Sequence, residues 1–169
     1  MLSIPAIESI HVAAGDFSSP QSRDAQLREE VMGQLLSGSQ VVISDALVDR
    51  RIDQMIDQFK TRLTENGVSF EQYLHESRKD EALMRHQLRQ MAFESIKKEA
   101  VLLHVAETAG IRVLAEDVDQ AIGPLAGMWG LSPKAALERL DKEGRTPALV
   151  QAILFEKVTD LLMRTATGG

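Results

Sequence analysis

The chain has 169 residues, 44% of them hydrophobic, and a formal net charge of −6. That size allows one domain with a buried core, and the negative charge gives no support to a nucleic-acid groove or an anionic membrane surface. The absence of cysteine excludes disulfides, thiolate catalysis and cysteine-ligated zinc. Because the sequence shows neither a basic signal segment nor an apolar run near the ~20 residues of a membrane span, we expect a cytoplasmic protein.

Residue usage favours helices over strands. Aromatic residues make up 4% of the chain, whereas methionine occurs seven times. Methionine, leucine and alanine suit helices, while β-branched and aromatic residues would have indicated sheet. No hairpin signal interrupts this pattern, so the sequence predicts an all-α fold.

The first part of the chain combines an irregular start with one helix. Prolines, serines and a glycine predict an irregular arm over residues 1–20, with a short extended piece at residues 7–12. A helix is predicted over residues 22–36, where apolar residues recur every four positions from Leu27 to Leu35.

Capping signals organise the next two helices. The β-branched residues 41–43 predict an extended link, after which Ser44 is expected to cap a helix that stops before Gly67. The apolar stripe of this helix is expected to comprise Val48, Ile52, Met55, Ile56, Phe59 and Leu63. Ser69 and Gln72 have the spacing of a capping box, which predicts a short helix.

The longest predicted helix runs from Ser77 to Gly110. Roughly thirty residues at about 1.5 Å each make a rod of roughly 45 Å, against a usual mean of about 11–12 residues per helix. Such a rod projects from a compact body, crosses a domain or pairs with another long helix. Each arrangement leaves surface exposed, so we expect binding rather than catalysis.

Three helices are predicted after the long one. The first spans residues 116–129 and contains Pro124, which is expected to kink or break it. Ser132 and Thr146 each precede a proline, a pattern typical of a capped helix start. The last helix is expected to bury Leu149, Ile153, Leu154, Val158, Leu161 and Leu162.

No arrangement of residues indicates catalysis or metal binding. The histidines lack metal-site spacing, and neither a nucleophile elbow nor a phosphate loop is present. We therefore expect no catalytic residue, no cofactor and no metal. Aspartates recur every four residues on one helix face; a solvated face, partly offset by Arg50, Arg51 and Lys60, is a simpler interpretation than a cation site. These aspartates are Asp45, Asp49, Asp53 and Asp57.

The functional signal is a surplus of apolar side chains on the predicted helices. Most of them are expected to pack in the core. Each Leu or Met left uncovered forfeits about 1.5–3 kcal/mol of burial, so a binding surface is the natural compensation.

A set of collinear helical segments covers most of the chain, and their order rather than any single motif is specific. The set resembles the C-terminal, substrate-binding domain of trigger factor, the ribosome-associated chaperone of bacteria. The segments are REEVMGQLLSGSQVVISDALVDRRIDQMIDQF (28–59), NGVSFEQYL (66–74), RHQLRQMAFESIKKEAVLLHVAETAGIRV (85–113), EDVDQAIGPLAGMWGLSPKAALERL (116–140) and ALVQAILFEKVTDLL (148–162).

The resemblance implies a helical body with two projecting helical arms, as in the peptide-binding fold of SurA. The chaperone domain would span residues 21–169, with the first arm over 44–108 and the second over 114–165. It also implies an ATP-independent holdase for unfolded or nascent polypeptides. The residues expected to contact these polypeptides are Met55, Phe59, Phe70, Tyr73, Leu74, Met84, Leu88, Met91, Met128, Trp129 and Leu131.

The chain departs from the family pattern at three positions. Ser44 stands where the family usually has proline, Leu114 replaces a polar cap, and Pro124 is unusual in its helix. We find no ribosome-docking loop and no prolyl-isomerase domain in this sequence, so ribosome contact is not supported and no isomerase activity is expected. A natural short chaperone and an excised domain of a full-length trigger factor remain open.

Two other functions and one assembly are considered. An assembly or adaptor module with one dedicated folded partner is the main alternative, and a prolyl isomerase is the weaker one. The resemblance implies that a linker helix covers part of the helical body. Because no such helix precedes Asp24 here, an apolar groove would be left open. Either residues 2–12 fold back into it or two chains cover each other, and we expect a homodimer.

Overall fold

A computed structural model describes residues 2–6 and 20–167, without the side chains of residues 20–22. Within these residues the fold is all-α, as predicted, and the extended piece predicted at 7–12 lies outside them. Two short strands accompany the helices, β1 (Leu2–Ser3) and β2 (Gln40–Val41). The helices are α1 (Pro20–Gly38), α2 (Asp45–Glu65), α3 (Phe70–Ser77), α4 (Glu81–Thr108), α5 (Ala115–Trp129), α6 (Pro133–Lys142) and α7 (Thr146–Thr167).

The chain divides into two compact units. Of the described residues, the first comprises 2–3 and 40–101, and the second comprises 4–6, 20–39 and 102–167. The two strands lie in the first unit and pair antiparallel, with Leu2 opposite Val41. Part of the predicted extended link is therefore a strand.

The first unit has a core of side chains from α2 and α4. Val48, Ile52 and Ile56 are buried at every fourth position of α2 and pack with Ala92 and Ile96 of α4. Three residues of the predicted apolar stripe of α2 are therefore buried, whereas Met55, Phe59 and Leu63 are only partly buried. Burying an aliphatic side chain of this size contributes about 1.5–3 kcal/mol, so this stripe is the main attachment of α2 to α4.

The acidic row of α2 is paired with arginines of α4. Arg89 contacts Asp45 and, at 3.1 Å, Asp49, while Arg85 Nη2 lies 2.7 Å from Asp53 Oδ1. The row remains exposed, as predicted, but these partners were not among the offsetting cations expected from sequence. Exposed ion pairs of this kind contribute about 0–1 kcal/mol each. They therefore add little to stability, and their main effect is on the register of the two helices.

The long helix starts later than predicted. Arg78 adopts a left-handed conformation at φ 53°, which separates α3 from α4. Asp80 then caps α4, because its Oδ1 accepts the backbone N–H of Leu83 at 2.7 Å. The helix from Glu81 is 28 residues long, or about 42 Å at about 1.5 Å per residue. Its predicted stop at Gly110, where φ is 66°, is confirmed.

The predicted caps are met in part. Ser69 accepts the backbone N–H of Gln72 at 3.1 Å, but the Gln72 side chain donates to Glu76, so the capping box is not reciprocal. Ser44 occupies the position before α2 without a side-chain cap hydrogen bond. Ser132 accepts the backbone N–H of Ala135 at 3.3 Å, as predicted.

In the second unit, α1 packs against α7 and α5 packs against α6. The core between α5 and α6 contains Ile122, Ala126, Ala136 and Leu140. Of the residues expected to be buried on α7, Ile153, Val158 and Leu162 are buried, whereas Leu149, Leu154 and Leu161 are only partly buried. The side chains of α7 therefore form a narrower buried stripe than predicted.

Pro124 lies inside α5 without interrupting it, so the predicted break is wrong, while the kink stays a prediction. The proline removes one backbone donor from the helix. Gly123 precedes it and has no Cβ, which removes the main clash between a proline ring and the residue before it. The clash of the proline ring with the carbonyl of Gln120, four residues earlier, is not relieved by this glycine.

Candidate polypeptide-binding surfaces

Four of the predicted contact residues support the first unit's core. Met55, Phe70, Met84 and Leu88 are partly buried and pack against the buried residues of α2 and α4. Their apolar area is thus divided between internal packing and solvent. Each holds a helix in place as well as presenting some surface.

An aromatic cluster joins α2 to α3. The ring of Phe59 lies edge-on to Phe70 at 6.4 Å and to Tyr73 at 4.8 Å, measured between centroids. Lys60 Nζ lies 4.6 Å from the Phe70 ring centroid. Aromatic pairs of this geometry contribute about 0.5–1.5 kcal/mol beyond their buried area. These three rings and Leu74, also on α3, are all partly buried, so each leaves some apolar area exposed within the first unit.

Three predicted contact residues are exposed. Met91 of α4 is 60% exposed and Met128 of α5 is 81% exposed, and Leu131 follows α5. Trp129, next to Met128, is partly buried against the second unit's core, with the Arg139 guanidinium carbon 4.7 Å from its ring centroid. These residues provide uncovered apolar area in both units.

Several exposed apolar residues were missed by the sequence interpretation. Four of them lie on helices but off the buried stripe, where a helical period predicts a solvent-facing position, and an apolar residue at such a position is the signal that indicates them. Val42 and Leu114 instead precede a helix. The missed residues are Val42, Leu47 and Leu83 in the first unit and Leu103, Leu114 and Val150 in the second.

The second unit also contains an apolar groove beside the first turns of α7, which we call the α7 groove. Two adjoining cavities of about 410 and 810 Å³ share Asp141, Thr146 and Val150. Ligand sites are typically about 300–1,000 Å³. The apolar lining comes from four helices and comprises Leu103, Val118, Leu137, Pro147, Ala148, Val150 and Leu154.

Charged side chains also line the α7 groove. Lys134, Glu138 and Asp141 line the smaller cavity, and the Thr146 hydroxyl donates to Asp141 Oδ1 at 3.4 Å. A mostly apolar lining with a few charged groups is typical of ligand-binding pockets.

Two carboxylates brace the helices around this unit. Asp117 accepts the backbone N–H of Leu114 at 2.7 Å and contacts Lys157, and both interactions lower the pKa of its carboxyl. Asp117 therefore pairs the backbone N–H of the residue that precedes α5, while the hydrogen bond that a polar cap side chain would accept is not made at Leu114. Glu143 accepts hydrogen bonds from Arg139 and Arg145, which lower the pKa of the Glu143 carboxyl.

Among the described residues, no group of three or more His, Asp or Glu side chains is placed to hold a metal ion. In the same part of the chain, none of the helices is long and apolar enough to span a membrane.

Comparison with known proteins places the chain in a family. Residues 20–164 match the model for the bacterial trigger factor protein (TF) C-terminus. Because this match covers most of the sequence, the chain belongs to the trigger factor C-terminal domain family.

Sequence relatives agree with this assignment. Trigger factor 1 of Desulfitobacterium hafniense is 28% identical over 149 residues, which are 88% of this chain and 35% of that protein. Trigger factor of Bacillus subtilis is 26% identical over 140 residues, 83% of this chain and 32% of that protein. The chain thus spans about a third of the length of these relatives.

Solved structures share the fold. A structure of trigger factor domains from Thermotoga maritima has a TM-score of 0.68 and 26% identity, and the alignment covers 94% of this chain and 91% of that one. A structure of the trigger factor chaperone, described for promiscuous substrate recognition in folding and assembly, has a TM-score of 0.57 and 28% identity over 85% of this chain and 35% of that one.

Proposed function

We propose that this domain is an ATP-independent holdase that binds exposed apolar segments of unfolded or nascent polypeptides. The main support is that this chain, a member of the trigger factor C-terminal family, exposes large apolar side chains in both of its units. Covering such side chains with a client's apolar residues recovers burial free energy of about 25 cal/mol per Å². No nucleotide is needed for that exchange.

The proposed client contacts fall into two groups. Exposed Met91, Met128 and Leu131 contact the client directly, together with the solvent-facing edges of the remaining predicted residues. Among those, Met55, Phe70, Met84 and Leu88 also hold the helices that present the surface. Methionine suits this role because its flexible thioether adapts to clients of different shape.

The α7 groove adds a contact site of more definite shape. Its lining comes from α4, α5, α6 and α7, so it is present only when the second unit is folded. A short apolar client segment fits its floor, while the carboxylates of Glu138 and Asp141 attract a basic group beside that segment.

This defined groove also favours the second candidate function, an adaptor with one dedicated folded partner. The two functions differ in breadth. A holdase recognises apolar segments that nearly every unfolded protein exposes, whereas an adaptor recognises one folded surface.

Location and assembly are part of the same proposal. Kinship with bacterial trigger factors favours action in the cytoplasm on unfolded or nascent chains. We also propose a homodimer, in which partner chains cover part of each other's apolar surface.

Aggregation of chemically denatured proteins, followed by light scattering without nucleotide, tests the proposal. We expect the domain to suppress aggregation of several unrelated denatured proteins. Suppression limited to one protein would favour the adaptor, and suppression of none would overturn the holdase.

A further inference from the structure

We propose that Met91 and Met128 are sites of oxidation to methionine sulfoxide, and that this modification weakens client binding without unfolding the domain. The effect on binding rests on the proposed holdase function; the position of the modified residues does not.

The structure separates the methionines by access. Met91 and Met128 are 60% and 81% exposed. The other methionines of the described residues, Met32, Met55, Met84 and Met163, are only partly exposed. An oxidant must reach the thioether sulfur, so modification is expected first at the two exposed side chains.

The reaction with a peroxide is balanced without any group supplied by the protein. The thioether sulfur attacks one oxygen of hydrogen peroxide, forming an S–O bond as the O–O bond breaks. The leaving hydroxide takes up the remaining peroxide proton, so water is released. Sulfur is oxidised by two electrons and the peroxide is reduced. Methionine sulfoxide reductases reverse the product, with one enzyme for each sulfoxide epimer.

The consequence differs between surface and core methionines. A sulfoxide is polar, so at Met91 or Met128 it removes apolar area offered to a client. Neither side chain belongs to the packed clusters of its unit. The same change at Met55 or Met84 would place a polar group against the first unit's core and lower the stability of the fold.

A contrast within the chain makes the inference testable. Peptide mass spectrometry of the intact protein, sampled during treatment with hydrogen peroxide, should show one added oxygen at Met128 and Met91 before Met55 and Met84. Earlier modification of Met55 or Met84 would overturn the proposed order. This readout does not depend on holdase activity.

For each variant, aggregation suppression is measured before and after peroxide treatment, and the value after treatment is divided by the value before it. We expect a lower ratio for the native sequence and for the control M32L/M163L, but an unchanged ratio for M91L/M128L. Treatment with both sulfoxide reductases should restore the ratio, and circular dichroism should show retained helix. The proposed effect of oxidation would be overturned if the ratio fell equally for M91L/M128L, or if helix content were lost in parallel with activity. Absence of suppression before treatment would instead contradict the holdase proposal.

Discussion

Lys157 Nζ lies 2.5 Å from Asp117 Oδ2 and so joins α7 to α5 within the second unit. The same carboxylate oxygen accepts the backbone N–H of Leu114 at 2.7 Å. One ionised side chain therefore completes the start of α5 and ties that helix to α7. This double role makes the second unit sensitive to protonation of Asp117.

Replacing Asp117 with Asn should remove a pH-dependent part of the stability. The backbone N–H of Leu114 and the Lys157 ammonium lower the pKa of Asp117 in the folded state. The stabilisation is therefore present above the unfolded pKa of about 3.9 and is lost as pH falls through the lower folded value. Thermal unfolding between pH 7 and pH 2 should show a deficit for D117N at neutral pH that closes in acid. The matched control is D119N, because Asp119 is exposed on the same helix. An equal deficit in both variants would contradict the stabilising role of the Asp117 carboxylate.

Substitutions at two positions of α4 should distinguish an apolar side chain that stabilises the fold from one that faces the client. Leu88 packs against the first unit's core, whereas Met91 is 60% exposed. We expect L88A to lower the free energy of unfolding by about 1–3 kcal/mol and M91A to change it by less than about 0.5 kcal/mol. Urea denaturation measures both changes. Equal destabilisation by the two substitutions would place Met91 in the core.

The α7 groove predicts a local effect of charge on client binding. V150D places a carboxylate within the lining shared by both cavities, whereas A152D places the same group on an exposed position of the same helix. We expect weaker binding of an unfolded polypeptide to V150D and native binding to A152D, with unfolding curves recorded for each. Unchanged binding to a folded V150D variant would exclude the groove as a client site.

The homodimer proposal predicts a mass in solution twice that of the chain. Light scattering on the intact protein and on a variant lacking residues 1–20 would show whether the first residues belong to the interface. Among the described residues of this segment, Leu2 pairs with Val41, and Pro5 lies so close to Gly38 that a Cβ there would be 3.0 Å from the Pro5 ring. A monodisperse monomer in both cases would contradict the dimer.

The sequence predicted those parts of the fold that depend on local pattern. Val48, Ile52 and Ile56 lie one turn apart, so their helical period identified the buried stripe of α2. The junction at Arg78 was missed because a left-handed non-glycine residue carries no strong sequence signal. Asp80 was the available clue, since aspartate is a frequent helix cap.

The candidate surfaces depend on contacts between segments distant in the chain, which local patterns do not contain. Leu88 and Met91 are neighbours on α4, and only the packing of α2 decides which of them is covered. In the same way, Arg89 and Asp45 pair across 44 positions of sequence. The α7 groove needs four helices to be in place, so no single stretch of residues predicts it.

Direct binding of an unfolded client is the sharpest test of the proposal that this domain is an ATP-independent holdase. Fluorescence anisotropy of a labelled, permanently unfolded polypeptide would be recorded with and without added nucleotide, and compared with the same polypeptide in its folded form. We expect saturable binding of the unfolded form that nucleotide does not change, with little binding of the folded form. Binding of the folded form alone, or binding that requires ATP, would contradict the proposal.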